Sequence, residues 1–205
     1  MSNAGTLYII SAPSGAGKTT LVGAILETMA DIEASISHTT RPMRPSEKNG
    51  INYHFVNEEK FSSLIKKNAF LEYAQVFNHF YGTSKEWVSK TLSSGIDVIL
   101  EIDWQGAEQV RRLIPESKSV FILPPSLYEL EKRLTKRGQD DSSVIKHRLD
   151  AAQEEMSHYE KADYLLINDG FDEALRELSS IILHNRLGVR FQKQKNFNLL
   201  KSLLS

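Results

Sequence analysis

The stretch "SAPSGAGKTT", residues 11–20, stands between an apolar run, "LYII" at residues 7–10, and a helical pattern that begins at Lys18. Phosphate-binding loops have the form Gly, four residues, Gly-Lys, then Ser or Thr, and they connect a strand to a helix. Residues 12–19 match this form at every position except the first, where alanine replaces glycine. The spacing therefore predicts a nucleoside triphosphate site made by Ala12, Pro13, Ser14, Gly15, Ala16, Gly17, Lys18, Thr19 and Thr20.

The residue types in this loop suit a bound phosphate. Gly15 and Gly17 allow the backbone to curl so that successive N–H groups face one anion, and the following helix adds its free N–H groups and its dipole. Lys18 is expected to reach the β- and γ-phosphates, and the Thr19 hydroxyl can ligate Mg²⁺. Ala12 predicts a slightly different first turn, with phosphate binding intact. The alternative interpretation is a glycine-rich turn with an exposed lysine.

The composition limits the kinds of site that the chain can form. Its 205 residues carry 25 Lys and Arg against 26 Asp and Glu, so no overall field favours nucleic acid or an anionic membrane. The absence of cysteine excludes disulfides, thiolate catalysis and cysteine metal sites, and it fits a cytoplasmic protein. No apolar run approaches the ~18 residues of a spanning helix. The first residues lack the pattern of a secretory signal. Neither a membrane nor a nucleic-acid partner is therefore expected.

Short apolar segments alternate with helical patterns along most of the chain. The predicted strands are residues 6–11, 97–103, 118–123 and 164–168. The predicted helices are residues 18–30, 104–114, 126–136, 140–159 and 171 to about 190. The helix at 126–136 begins with a capping box, Ser126 with Glu129. This alternation predicts an α/β protein, with a parallel sheet covered by helices on both faces.

Two regions depart from the alternation. Residues 35–83 contain partly polar, strand-like segments, "SISHTT", "NYHFV" and "FLEYAQVF", with one helix at 58–67. The second region is a basic helical hairpin at 129–149, hinged around Gly138. We therefore expect one domain, with a core of about 1–34, 84–125 and 160–205, a small mixed α+β insertion at 35–83 and a helical lid at 126–159. Both excursions can close over the carboxyl ends of the core strands.

A pair of arginines marks a second anion site within the insertion. Arg41 and Arg44 lie in "SHTTRPMRP", where Pro42 and Pro45 prevent a helix. Two guanidinium groups on a stiff, extended loop suit a dianionic phosphate held by charge-assisted hydrogen bonds. Tyr53 supplies a hydroxyl nearby in sequence. The alternative is a solvated basic loop.

Several segments together make the sequence resemble the guanylate kinase family. They are "SAPSGAGKTT", "SHTTRPMRP", "NGINYHF", "FLEYAQVFNHFYGTS", "ILEIDWQGA", "KRLTKRG" and "HRLDAAQEEM", and the resemblance runs in order from about residue 6 to residue 187. It implies transfer of the γ-phosphoryl group of MgATP to GMP or dGMP, giving ADP and GDP, in purine nucleotide metabolism. It also implies that residues 35–83 bind GMP and that residues 126–159 form a lid over a P-loop core.

The resemblance implies roles for individual residues by their positions in these motifs. Those that match contacts to the GMP phosphate are Ser37, Arg41, Arg44 and Tyr53. Those that match contacts to the guanine side are Glu72, Tyr81 and Thr83, and Asp103 is grouped with the GMP-binding residues. The residues expected to act in catalysis are Lys18, Arg44, Arg137 and Arg148, the last two reaching the transferred phosphoryl group from the lid. Asn168 matches a residue near the adenine of ATP.

Other interpretations of these residues remain open. Thr83 with Glu86 is also a possible capping box for the helix that follows, and Tyr81 can be a packed aromatic. Glu101 and Asp103 share one face of a strand, where they can orient arginines or metal-bound water. Strict alternation in "FLEYAQ" places Leu71 and Tyr73 on the face opposite Glu72. The lid arginines can be ordinary surface residues. The C-terminal segment, residues 188–205, has the pattern of an amphipathic helix, and the sequence leaves its function open.

Two rival functions fit the sequence less well than this kinase. A non-catalytic binding module of the same fold is expected to have lost the phosphate loop, yet Lys18, Thr19 and the paired arginines are present. A related P-loop kinase with another acceptor is disfavoured by the guanine-side residues. The acceptor oxygen belongs to a phosphate with a second pKa of ~6, so no general base is required. ATP and GMP are the expected partners, and the sequence leaves protein partners and the oligomeric state open.

Overall fold

The computed structural model of the chain describes residues 5–76, 78–136 and 142–204, leaving aside the side chains of residues 142–148. Its strands are β1 (Leu7–Ser11), β2 (Ile32–Ala34), β3 (His38–Thr39), β4 (His54–Phe55), β5 (Phe70–Val76), β6 (His79–Ser84), β7 (Asp97–Glu101), β8 (Lys118–Leu123) and β9 (Tyr164–Ile167). Its α-helices are α1 (Lys18–Thr28), α2 (Glu58–Lys66), α3 (Lys85–Ser93), α4 (Trp104–Leu113), α5 (Leu127–Lys136), α6 (Ser142–Ser157), α7 (Phe171–Leu187), α8 (Val189–Lys195) and α9 (Phe197–Leu204). In these ranges no helix has both the length and the apolar character that crossing a bilayer requires.

The core is a parallel sheet with the strand order β2-β7-β1-β8-β9. All residues of the central strand β1 are buried, because helices cover both faces of the sheet. Tyr8 and Ile10 pack on one face with apolar residues of α1 and α7, whereas Leu7 and Ile9 pack on the other face with residues of α3 and α4. The predicted α/β class is thereby confirmed.

The observed elements differ from the predicted ones in several places. The strand predicted at 97–103 ends at Glu101, and the C-terminal segment, residues 188–205, contains two helices, α8 and α9, where one was expected. The edge strand β2, Ile32–Ala34, was not predicted, because three residues with one exposed side chain carry too little periodicity to show. The helix predicted from residue 171 to about 190 ends at Leu187, and α8 begins after Gly188, whose extended backbone interrupts the helix. The carboxyl ends of β1, β7 and β9 meet at one edge of the sheet, where the phosphate loop, Asp103 and Asn168 follow them.

The residues between β2 and α3 form a second, mixed sheet with the strand order β4-β3-β6-β5. β3 pairs with β4 in parallel and with β6 antiparallel, and β5 and β6 form an antiparallel hairpin. Helix α2 packs its buried Phe61 against the rings of Phe70 and Phe80. The register of β5 shifts between Phe70 and Glu72, a bulge that becomes important for the site.

Helices α5 and α6 pack on each other above the phosphate loop. Leu130, Leu134 and Ala152 form their small apolar core. The Ser126 side chain accepts a hydrogen bond from the backbone N–H of Glu129 at 3.1 Å, which is the N-cap half of the predicted capping box, while the Glu129 carboxylate accepts from Lys132. A methyl group added at Gly15 would meet Leu130 and Leu134, so α5 lies directly against the loop.

Candidate active site

The phosphate loop has the backbone that its glycines predicted. Gly15 and Gly17 have φ angles of +93° and +94°, a region that other residues rarely adopt. The N–H of Ala16 bonds to the carbonyl of Pro13 at 3.1 Å, which tightens the turn. Gly17 is the N-cap of α1 and offers no side-chain acceptor. The first N–H groups of α1 are therefore available to an anion.

Asn168 supports this loop from the end of β9. It is 7% exposed, and its Nδ2 donates a hydrogen bond of 2.7 Å to the carbonyl of Ala16. A Cβ at position 17 would lie 2.3 Å from the same nitrogen, so the contact requires glycine there. Arg133 of α5 donates in turn to the carbonyl of Asn168 at 2.9 Å. The sequence analysis gave Arg133 no role, although the residue lies in the motif "KRLTKRG".

Lys18 and Thr19 begin α1 beside the end of β7. The Lys18 ammonium lies 3.4 Å from the carbonyl of Ile102. The Thr19 hydroxyl donates to Oε2 of Glu101 at 2.9 Å. The sequence left the partner of Glu101 open, and this bond identifies it. The bond also places a hydroxyl oxygen beside a carboxylate oxygen, and both are possible metal ligands. Within the described part of the chain, no group of three or more His, Cys, Asp or Glu residues is arranged to hold a metal ion.

The arginine loop, residues 41–47, is organised by Glu47. Nη2 of Arg41 donates to Oε1 of Glu47 at 2.6 Å, and the backbone N–H of Arg44 donates to Oε2 at 2.8 Å. The guanidinium carbon of Arg41 also lies 5.4 Å from the centre of the Tyr53 ring. Sequence reasoning missed Glu47, because pairing within an irregular loop follows no periodicity. The interpretation as a freely solvated basic loop is wrong, since Arg41 is paired and largely buried.

The aromatic residues predicted beside this loop lie together. The rings of Tyr53 and Tyr81 are 5.9 Å apart and meet edge to face. Burial raises the pKa of Tyr53 above its usual range, and the neighbouring Tyr81 adds to the effect. Ser37 precedes β3, and its carbonyl accepts a hydrogen bond from the N–H of His54 at 2.9 Å. The small sheet thus joins the segments that carry Ser37, Tyr53 and Tyr81.

Glu72 and Thr83 face each other across the β5–β6 hairpin. They are 3% and 0% exposed, and the Thr83 hydroxyl donates to Oε1 of Glu72 at 2.5 Å. Burial raises the pKa of Glu72 to about 7; the hydrogen bond from Thr83 opposes this rise, and the charge of Asp103 adds to it. Burial also raises the pKa of Asp103, which caps α4 by accepting from the N–H of Gly106 at 2.9 Å.

Two expectations about this hairpin are corrected. The N-cap of α3 is Ser84, which accepts from the N–H of Trp87, so Thr83 is not the cap. Strict alternation along β5 would have given Leu71 and Tyr73 the same degree of burial, but Leu71 is buried while Tyr73 is 42% exposed. The bulge between Phe70 and Glu72 breaks the alternation, and it explains why the simple pattern failed.

Comparison with known proteins identifies the family. The family model described as guanylate kinase matches residues 4–185. The chain belongs to the guanylate kinase family. Its membership agrees with the resemblance that the sequence motifs carried.

Individual guanylate kinases are similar over almost their whole length. The chain is 60% identical over 205 residues to a guanylate kinase of Saccharophagus degradans, covering 100% of both chains. It is 53% identical to a guanylate kinase of Legionella pneumophila (strain Lens), covering 99% of this chain and 97% of the relative. The crystal structure of guanylate kinase from Anaplasma phagocytophilum superposes with a TM-score of 0.77 at 31% identity, covering 92% of this chain and 90% of that one.

The structure does not describe the side chains of the two lid arginines expected from the resemblance to guanylate kinases. Arg137 and the hinge residue Gly138 lie outside the described residues. Arg148 lies in α6, among the residues whose side chains are left aside. Their assignment to the transferred phosphoryl group therefore stays a prediction.

Proposed function

We propose that this chain transfers the γ-phosphoryl group of MgATP to GMP or dGMP, giving ADP and GDP, in purine nucleotide metabolism. It is an ATP:GMP phosphotransferase of the guanylate kinase family. The observation that carries the choice of acceptor is the buried hydrogen bond between Thr83 and Glu72, at 2.5 Å.

A buried carboxylate suits guanine better than other acceptors. The edge of guanine presents two donors, N1–H and the N2 amino group, and a carboxylate offers two acceptor oxygens. Adenine presents an acceptor at N1 and would face a repelling anion. A ribose phosphate has no such edge, which disfavours a kinase that acts on sugars. Glu72 is thus proposed to read the base, with Thr83 holding its carboxylate and Tyr81 and Asp103 beside it.

The arginine loop is proposed to bind the phosphate of GMP. Arg41 is already held by Glu47 and Tyr53, so little side-chain freedom is lost when an anion binds. Arg44 would add a second guanidinium, and the hydroxyls of Ser37 and Tyr53 would add hydrogen bonds. Guanidinium forks match phosphate oxygens in pairs, which fixes the orientation of the acceptor.

The phosphate loop is proposed to bind ATP through residues 12–20, with Asn168 on the adenine side. Its positive φ angles and uncapped α1 suit a triphosphate. The neighbouring oxygens of Thr19 and Glu101 fit Mg²⁺, which takes few protein ligands and keeps water and substrate phosphates. Thr19 would ligate the ion directly, and Glu101 would orient the Thr19 hydroxyl and a bound water. When bound, Mg²⁺ screens the phosphate charge.

Alignment and charge neutralisation would then account for catalysis. The Lys18 ammonium makes a long contact with the carbonyl of Ile102, at 3.4 Å, and interacts through its charge with Asp103. It can exchange the carbonyl contact for a phosphate oxygen. Arg44 would hold the acceptor, and Arg137 and Arg148 would approach the transferred group as the lid closes. Closure over a water-poor cleft would also prevent transfer to water. We propose that the protein has small nucleotides as its partners and acts in the cytoplasm. A chain without cysteine fits that compartment.

The test is a coupled assay of ADP formation with MgATP and four acceptors: GMP, AMP, UMP and a ribose phosphate. We expect GMP to be used with a kcat/KM at least ~10³-fold above the other acceptors, because a site built on hydrogen bonds rejects a ligand that leaves them unpaired. A higher kcat/KM for AMP or a sugar phosphate would favour the related kinase. Tight GMP binding without ADP formation would favour the non-catalytic binding module.

A further inference from the structure

We propose that Gly106 and Gln109 of α4 form a seat that positions the Glu72 carboxylate for guanine. We call these two residues the α4 seat. The inference rests on the proposed function of Glu72 as the residue that reads the base. It assigns specificity to residues that belong to neither the phosphate loop nor the arginine loop.

Gly106 supplies the space that the carboxylate occupies. A Cβ at this position would lie 2.5 Å from Oε2 of Glu72 and 3.1 Å from its Cδ, and the first distance is shorter than real contacts allow. The φ angle of Gly106 is not positive, and alanine is a better helix former than glycine. Neither the backbone nor the helix therefore requires glycine here. The requirement comes from the Glu72 carboxylate.

The carboxylate cannot easily move away from a larger residue. Its other oxygen, Oε1, accepts the hydrogen bond from Thr83 at 2.5 Å, and Glu72 is 3% exposed. A shift away from position 106 would strain or break that bond inside a closed site, where a lost bond is costly. Any adjustment would therefore turn the two oxygens of Glu72 away from their present positions.

Helix α4 is equally constrained from the other side. The Gln109 side chain donates from Nε2 to the carbonyl of Tyr73 at 2.8 Å and accepts at Oε1 from the N–H of Tyr73 at 3.3 Å. Tyr73 directly follows Glu72, so this amide clamp fixes the spacing between α4 and β5 at the carboxylate. At the start of the helix, the Asp103 cap holds the N–H of Gly106. Both sides of the close contact are thus fixed by hydrogen bonds.

The decisive variant is Gly106→Ala, with Gly23→Ala as its matched control. Gly23 is also helical, in α1, but a Cβ there would meet nothing within 4 Å. We expect Gly106→Ala to lower kcat/KM for GMP by roughly 10- to 100-fold, as expected for a misplaced positioning group. The low kcat/KM for AMP and the affinity for a non-hydrolysable ATP analogue should stay unchanged. Gly23→Ala should change none of these values.

A rescue experiment separates positioning from general packing. Glu72→Asp withdraws the carboxylate by one methylene and should by itself weaken the binding of GMP. In the double variant with Gly106→Ala, the fold-loss of kcat/KM for GMP should be smaller than the product of the two single fold-losses. The reason is that the added methyl group then fills space that the shorter side chain vacates. Gln109→Ala should raise the KM for GMP several-fold with little change in the KM for ATP, and it tests the seat without adding bulk to α4.

The outcomes distinguish the seat from the proposed function. If Glu72→Gln leaves the GMP-to-AMP ratio of kcat/KM unchanged, Glu72 does not read guanine and the proposed base recognition fails. If Glu72→Gln lowers the ratio but Gly106→Ala and Gln109→Ala both leave it unchanged, the seat is overturned. The seat is also overturned if Gly106→Ala depresses GMP and AMP turnover equally. If Gly106→Ala does not fold, the effect of Gln109→Ala on the two KM values decides.

Discussion

The Thr83 hydroxyl donates a hydrogen bond to Oε1 of Glu72 at 2.5 Å, and the two side chains are buried together against the first turn of α4. Glu72 reaches this position because β5 is bulged, and Thr83 is free to meet it because Ser84 caps the next helix instead. A buried carboxylate has a strong preference for ligands that donate hydrogen bonds. The base specificity of the enzyme should depend on this pair.

Glu72→Gln should lower the preference for GMP over AMP. The amide nitrogen would confront a donor of guanine, so we expect a loss of about 1–3 kcal/mol of transition-state binding for GMP. The loss for AMP, already a poor acceptor, should be much smaller. The measurement is the ratio of kcat/KM for GMP to that for AMP in both proteins. An unchanged ratio would mean that another residue reads the base.

The ionisation of Glu72 should make stability and GMP affinity depend on pH. Burial raises the pKa of Glu72 from 4.5 to about 7 in the ligand-free protein. Between about pH 4.5 and 7, the folded protein holds a proton on Glu72 that the unfolded chain releases. The stability that this proton contributes is therefore fully present below about pH 4.5 and is lost as the pH rises through about 7. Guanine requires the carboxylate, so GMP should bind more tightly as the pH rises through the same interval.

Calorimetric titration of GMP between about pH 6 and 8, in buffers of different ionisation enthalpy, measures this coupling. Wild type should release protons on binding and gain affinity with pH. Glu72→Gln provides the control, because it keeps the ionisation of the GMP phosphate, whose second pKa is ~6. Identical pH profiles for the two proteins would contradict a proton held by Glu72.

Lys18→Met should abolish most of the activity while leaving the fold intact. The ammonium group makes a long contact with the carbonyl of Ile102, at 3.4 Å, and a charge interaction with Asp103. Neither belongs to the apolar core, so removal of the ammonium group should change the thermal midpoint little. Its charge is expected to act on the phosphates in the transition state, where losing it should lower kcat by ~10²-fold or more. Turnover and thermal unfolding of the same preparation give both values. A mutant with near-normal turnover would refute the assignment.

Glu47→Ala should weaken the binding of GMP without changing the binding of ATP. The Glu47 carboxylate holds both the guanidinium of Arg41 and the backbone of Arg44, so its loss should leave the arginine loop disordered before the acceptor binds. Ordering must then accompany binding, and we expect the KM for GMP to rise by about 10-fold. Glu58→Ala, which removes an exposed carboxylate of the same insertion, is the control. Equal effects of the two variants would point to net charge instead of preorganisation.

Local patterns in the sequence predicted the parts of the molecule whose form depends on neighbouring residues. The buried run at 7–10 and the glycines at 15 and 17 define β1 and the phosphate loop, since burial and positive φ angles leave a direct mark on residue type. The family resemblance supplied Glu72, Tyr81 and Thr83 as a set of guanine-side residues. It did not supply their geometry, which depends on a bulge that strict alternation cannot show.

Contacts between distant segments could not be read from periodicity. Glu47 with Arg41 joins two points of an irregular loop, and Asn168 reaches Ala16 across 152 positions of sequence. Gly106 looks like an unfavourable helix residue until the Glu72 carboxylate is seen against it. Such residues are chosen by tertiary packing, which overrides local propensity.

Arg137→Ala and Arg148→Ala should act mainly on the transition state. Charge on the transferred phosphoryl group is greatest there, so each substitution should lower kcat by roughly 10²–10⁵-fold while changing the KM for ATP little. Lys132→Ala is the matched control, because Lys132 is a cation of α5 whose side chain is 63% exposed and pairs with its neighbour Glu129 at 3.2 Å. That variant should keep wild-type kcat. Steady-state kinetics with varied ATP and saturating GMP separates the two parameters. If either arginine variant raises the KM for ATP and leaves kcat intact, that arginine binds the ground state, and the charge of the transition state must be neutralised by Lys18, Arg44 and the metal ion alone.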